Sequence, residues 1–188
     1  ALNDGQFRVL YQPIVELATG SIHKAEALIR WQHPQYGLMP PAAFLPVIEN
    51  HQLSVELGEW VIETALNQMT EWEVMGLEIP VSVNIGAIQL QQSNFAERLK
   101  ELLHRHPAAN PHNLELEILE SAALADMQHI RQVMQDSQAL GVRFALDDFG
   151  TGYSSLTYLR QLPVHCLKID QSFVRDMLED PDDHNIVA

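Results

Sequence analysis

Glu26, Asn84, Glu117, Asp147 and Asp148 all offer oxygen to a ligand, and each lies in or beside a short apolar stretch. Such a set suits hard cations, Mg²⁺ or Mn²⁺ rather than Zn²⁺. The stretches alternate with the two-residue period of a strand. Leu114, Leu116 and Ile118 share one face, with Glu115 and Glu117 on the other; Val81, Val83 and Ile85 oppose Ser82 and Asn84. Phe144 and Leu146 oppose Asp147; Leu167 and Ile169 oppose Cys166, Lys168 and Asp170; Ala25, Ala27 and Ile29 oppose Glu26, Leu28 and Arg30. Helices must cover the apolar face, so the polar face points into a shared interior, where an unpaired charge is costly. Each polar residue falls near the carboxyl end of its stretch, the end at which parallel α/β architectures place their sites. Plainer readings exist one at a time: Glu26 and Arg30 as a buried ion pair, Asn84 as a strand-end cap, Lys168 as the partner of Asp170. Recurrence on five stretches weighs against all of these holding at once.

The elements that must position these groups follow from periodicity. Phe7 to Glu16 alternates, Thr19-Gly20 turns the chain, and an extended run from Ser21 to Trp31 completes a hairpin. Pro40-Pro41 opens a helical stretch through Phe44, Val47 and Ile48, and Leu53 to Met75 keeps helical spacing until Gly76 stops it. There follow a strand from Val81 to Ile85, a helix capped by Ser93-Asn94 and ended by Pro107, and a strand from Leu114 to Leu119. A helix capped by Asp126 runs to Gly141, and Val142 to Asp147 is extended. Tyr153 to Leu162 reads as helix, Val164 to Ile169 as strand, and Ser172 to Leu178 as the start of a further helix. Alternation of this kind builds a parallel sheet, either open and doubly wound or closed as a (β/α) barrel.

Composition sets the outer bounds. The 188 residues are 46% hydrophobic and 19% charged, which fits one globular domain with a core that needs no disulfide. The single cysteine, Cys166, fits a reducing compartment. No apolar run approaches the roughly 18 residues of a membrane span, and no secretion signal opens the chain, so the expectation is a cytoplasmic segment. A formal charge of -14 repels long DNA or RNA; a small phosphorylated ligand fits if local cations offset the acidic field.

Other motifs carry less. Asp148-Phe149-Gly150 matches the kinase metal-binding triplet, but no G-x-G-x-x-G loop or H-R-D catalytic loop accompanies it. Gly150-Thr151-Gly152-Tyr153-Ser154-Ser155 reads as a phosphate cradle at a helix start or as a simple tight turn. His104 and His106 form no zinc pattern and suit the surface at a helix end. The acidic run 179–183 reads as a solvated loop.

With those residues assembled, the sequence resembles the EAL domain family, the cyclic di-GMP phosphodiesterases of bacteria, from Tyr11-Gln12-Pro13 to the end of the chain. The resemblance rests on Glu26-Ala27-Leu28-Ile29-Arg30-Trp31, Ser82-Val83-Asn84, Glu117-Ile118-Leu119-Glu120-Ser121, 147–155 and Leu167-Lys168-Ile169-Asp170. It implies an α/β fold, a modified TIM barrel whose first strand runs antiparallel, with residues 1–188 as a single partial domain holding about six of the eight strands. It implies metal ligation by Glu26, Asn84, Glu117 and Asp147, with Asp148 contributing to a second ion. Lys168 then lies close to the attacking water, and Glu26, Asp147 and Lys168 form the catalytic group. Gln12, Leu28 and Arg30 contact the dinucleotide, and Glu120 steadies the loop after Asp148. The implied reaction is hydrolysis of cyclic di-GMP to linear pGpG with two Mg²⁺ or Mn²⁺ ions. The implied setting is bacterial second-messenger signalling by a homodimer with a flanking regulatory domain, in a parent protein either cytoplasmic throughout or anchored to a membrane outside this segment.

Three positions depart from the family pattern. Gly86 and Ile88 stand where Ser and Arg are usual, and Leu119 where Thr is usual, which removes a hydroxyl beside Glu117. The chain also stops before the A-E-G-V-E segment, which carries a further glutamate of the site. Two competing expectations follow: a catalytically silent receptor for the dinucleotide and, from the residues alone, a Mg²⁺-dependent lyase with Lys168 as base.

Overall fold

The computed structural model describes residues 1–150 and 160–180. Strand β1 (Phe7–Val15) pairs antiparallel with β2 (Ile22–His33), setting Gln12 opposite Glu26, and a short β3 (Gly37–Met39) folds back on β2. β4 (Val81–Ile85), β5 (Leu114–Leu119), β6 (Arg143–Phe149) and β7 (Cys166–Ile169) add in parallel, giving the order β1-β2-β4-β5-β6-β7. Among the described residues this path is open, with β1 and β7 at its ends. The expected TIM-type arrangement with an antiparallel first strand, not closed, is what the chain forms.

Helices connect the parallel strands. After two short helices, the 3-10 turn Pro41–Ala43 and α1 (Leu45–Ile48), the long α2 (Gln52–Val74) leads from the hairpin side to β4. α2 ends as its sequence dictates. Gly76 takes φ +76°, its N–H donates to Glu73 O at 3.0 Å, and the N–H of Leu77 donates to Trp72 O at 2.8 Å, a Schellman closure that a Cβ would strain. α3 (Ala87–Leu90) and α4 (Phe95–Arg105) link β4 to β5; α5 (Glu120–Ala125) and α6 (Met127–Gln138) link β5 to β6; α7 (Gln171–Asp176) follows β7. Phe95, Leu99 and Leu102 of α4 and Ile130, Val133 and Met134 of α6 face the sheet and are buried. They meet Val81, Val83, Leu114, Leu116, Ile118 and Phe144, all fully excluded from solvent. Each such side chain contributes about 1.5–3 kcal/mol by leaving water.

The differences from expectation are local. Pro40-Pro41 yields a 3-10 turn before a one-turn helix rather than a continuous helix. β3, α3 and α5 were not anticipated, because three to six residues are too few to show a period. The last strand is shorter than Val164–Ile169, and the last helix begins at Gln171, one residue before Ser172, with Asp170 as its cap. The helix expected over Tyr153 to Leu162 lies largely outside the described residues. Among the described residues no helix is long and apolar enough to cross a membrane.

Candidate functional site

Register decides which polar groups meet. Glu26 pairs with Ser82, Asn84 with Glu117, and Leu119 with Asp147, so the inward side chains of β2, β4, β5, β6 and β7 step around one end of the sheet. There Lys168 Nζ meets Glu117 Oε2 at 2.6 Å, Asp147 Oδ2 at 3.2 Å and Glu26 Oε2 at 3.7 Å. Asn84 Nδ2 donates to Glu26 Oε1 at 3.0 Å, so the amide and carboxylate of two strands orient each other. Carboxylates from three strands thus converge on a single cation.

Charge imbalance explains the acid–base state. Burial lifts the Glu117 carboxyl above the ordinary carboxylate range, and repulsion from Glu26 adds to it against the partial relief given by Lys168. Burial by itself lowers an ammonium, yet the hydrogen bond to Glu117 and the charges of Glu117, Glu26 and Asp147 outweigh it and hold Lys168 above the ordinary lysine value. Glu117 is 1% exposed; its Oε1 and the neighbouring Ser82 Oγ are both buried, and neither completes a hydrogen bond of good geometry. The Ser82 hydroxyl still lies where it favours the ionised form.

Asp148 follows at φ +54°, a left-handed backbone that few residues other than glycine and the short polar ones adopt. Its N–H donates to Asp147 Oδ1 at 3.0 Å. Burial and the charges of Asp147 and Asp170 push its carboxyl upward. Asp170 itself is drawn down by the Ser172 hydroxyl and the Ser172 N–H, which donate to it at the start of α7. Glu120, 3% exposed, accepts the Gly150 N–H on Oε2 at 3.0 Å and so ties the start of α5 to the chain just after Asp148.

The plainer pairings are not what forms. Arg30 Nη1 donates to Ile29 O at 2.8 Å instead of bridging Glu26, Asn84 serves Glu26 instead of capping a strand, and Asp170 caps α7 instead of pairing Lys168. Gln12 is exposed on β1, next to Glu26 by register. Leu28 lines a cavity of about 610 Å³ with Leu45, Leu57, Ile85 and Leu119, and Asn84 and Glu117 share its wall. Leu119 is 41% exposed at the mouth of β5. Gly86 also lines this cavity, and a Cβ there would meet nothing within 4 Å, so space does not exclude serine.

One group escaped sequence reasoning. Lys24 and Glu115 are both 7% exposed and form a buried ion pair, and His165 Nε2 reaches the other oxygen of Glu115 at 3.0 Å. The signal was present: Lys24 precedes Glu26 by two, and Glu115 precedes Glu117 by two, so both must share the inner face.

The donor types and the surplus of carboxylate charge around Lys168 fit a hard divalent cation. Among the described residues no three Asp, Glu, His or Cys side chains are disposed to hold one ion between them. The reason is visible in the contacts: the Lys168 ammonium fills the space among Glu26, Glu117 and Asp147.

An antiparallel opening hairpin followed by parallel strands, with carboxylates of three strands gathered around Lys168, defines an α/β domain of the TIM-barrel type with an acidic cluster at one end of its sheet. The chain belongs to the EAL domain family, whose model, described as EAL domain, matches residues 1–188. It is 40% identical over 189 residues to the bifunctional diguanylate cyclase/cyclic di-GMP phosphodiesterase MucR of Pseudomonas aeruginosa, covering 100% of this chain and 27% of that protein. Among solved structures it is similar to the MucR phosphodiesterase in complex with c-di-GMP, with TM-score 0.93 and 40% identity, covering 100% of this chain and 76% of that one. It is also similar to the FimX EAL domain of P. aeruginosa bound to c-di-GMP, with TM-score 0.88 and 28% identity, covering 100% of this chain and 74% of that one. The chain spans only about a quarter of the length of the full MucR protein.

Proposed function

We propose that this domain hydrolyses cyclic di-GMP to linear pGpG with two Mg²⁺ or Mn²⁺ ions, held by Glu26, Asn84, Glu117, Asp147 and Asp148. The observation that carries the reading is the convergence of Glu26, Glu117 and Asp147 within 3.7 Å of one cation, beside a cavity of small-ligand size. When bound, the ions supply a water of lowered pKa and neutralise charge on the phosphoryl oxygens. Every other part belongs to the chain. Lys168, held positive by its neighbours, holds and polarises the attacking water through its N–H groups. Arg30 holds a phosphate, Leu28 and the cavity take an apolar face of the ligand, and Gln12 contacts the dinucleotide from β1. Glu120 keeps the Asp147-Asp148 segment in place through the Gly150 N–H.

The relatives described as cyclic di-GMP phosphodiesterases support this reading. The parent protein is read as cytoplasmic at this segment, homodimeric, and joined to a regulatory domain. A second reading, a receptor that binds the dinucleotide without cleaving it, draws on the Lys168 ammonium already seated among the carboxylates. Titration of cyclic di-GMP into the 188-residue chain, with and without Mg²⁺ or Mn²⁺ and with analysis of products, separates the two. Formation of pGpG only with the divalent ion supports hydrolysis, binding without product supports the receptor, and no binding under either condition overturns both.

A further inference from the structure

Glu117 stands between two ammoniums. On the mouth side Lys168 Nζ takes Oε2 at 2.6 Å; on the opposite side, toward the amino-terminal ends of the strands, Lys24 Nζ lies 3.9 Å from Oε1. The latter distance is too long for a hydrogen bond, so Lys24 acts on Glu117 through charge. Lys24 does not wander: its ammonium is bound by Glu115, whose second oxygen is engaged by His165 at 3.0 Å. An ion entering among Glu26, Glu117 and Asp147 must take the place of the Lys168 ammonium, after which Lys24 and the Ser82 hydroxyl are what remains behind the buried Oε1. Glu115 offsets the Lys24 charge at the greater distance of an incoming cation, while at 3.9 Å the Lys24 ammonium still acts on Glu117 Oε1.

Resting on the hydrolase reading above, we propose that Lys24, anchored by Glu115 and His165, is a positioning residue that backs Glu117 with fixed positive charge and keeps its Oε2 aimed at the metal position. Groups that orient a ligand from behind typically change metal affinity 10- to 100-fold when removed. The inner face therefore works as two stacked layers, the lower one holding the upper one in register.

The test is Mn²⁺ titration of the 188-residue chain without nucleotide, by calorimetry or by the electron paramagnetic resonance of free Mn²⁺. K24M/E115Q removes both members of the pair, so no charge is stranded; its fold is checked by circular dichroism. The expected result is Mn²⁺ affinity about tenfold weaker in K24M/E115Q and within about threefold of the unaltered chain in K24R, which keeps the charge. If K24M/E115Q does not fold, K24Q/E115Q, whose amides can bond to each other, takes its place. Unchanged affinity in either folded double variant overturns the proposal, as does a loss in K24R as large as in the double variant. Absence of Mn²⁺ binding by the unaltered chain would bring down the hydrolase reading as well.

Discussion

On the lower inner face of the sheet one ammonium, Lys24, is matched to one carboxylate, Glu115; at the mouth one ammonium, Lys168, faces three, Glu26, Glu117 and Asp147. Both clusters use the same residue types on the same strand face, two residues apart. The balanced pair has its charge satisfied within the fold. The unbalanced group carries excess negative charge that a further cation would relieve, and the apolar packing of the buried core offsets the cost of holding it. Surplus charge, rather than charge itself, marks the site.

Substitutions can break that contrast. The largest effect is expected from Asp147→Asn and Glu26→Ala, which lower turnover of cyclic di-GMP at least about 10²- to 10³-fold, measured by product formation with Mg²⁺ present. A stability loss with activity retained would reverse the assignment of the mouth. Chelation gives the companion result: with EDTA turnover ceases, while restoring the ion to about 100 times its Kd raises the unfolding free energy by roughly 2.7 kcal/mol. Lys24→Met acts on the other layer. It leaves the buried Glu115 with only His165 beside it among the described residues and is expected to cost about 3 kcal/mol in urea unfolding, whereas Asp147→Asn, which relieves repulsion, leaves stability within about 1 kcal/mol or raises it. Arg30→Ala sharpens the ligand side: dinucleotide affinity falls about 10-fold, with turnover at saturating substrate nearly unchanged. The smallest effect belongs to the exposed pair of Arg98 and Glu59, where Arg98→Ala shifts stability by about 0.2–1 kcal/mol and activity not at all.

Much of this was legible before any coordinates. Period-2 alternation fixed which residues of β2, β4, β5, β6 and β7 face inward, because one face of each strand is buried against helices and a slip of one residue would expose it. The segments α2, α4 and α6 were visible for the same reason, having enough turns to repeat an apolar stripe. What stayed hidden was pairing. Nothing in the spacing says that Arg30 turns to Ile29 O, or that Lys168 chooses Glu117 over Asp170, since those choices depend on the stagger between neighbouring strands. Lys24 was passed over because a lysine beside a hairpin turn reads as solvated, and only the reach across β4 to Glu115 removes it from water.

The aromatic packing around the hairpin has a practical consequence. The chain has three tryptophans, and each indole touches β1 or lies on its partner strand: Trp31 and Trp60 flank Phe7 with ring centroids 5.8 and 6.1 Å away, and Trp72 meets Tyr11 at 5.2 Å. Intrinsic fluorescence of this molecule is therefore a gauge of how firmly its amino-terminal ribbon is seated. A red shift during denaturation dates the moment that ribbon lifts from α2, and comparing it with far-ultraviolet dichroism reveals whether the ribbon departs before the parallel strands come apart.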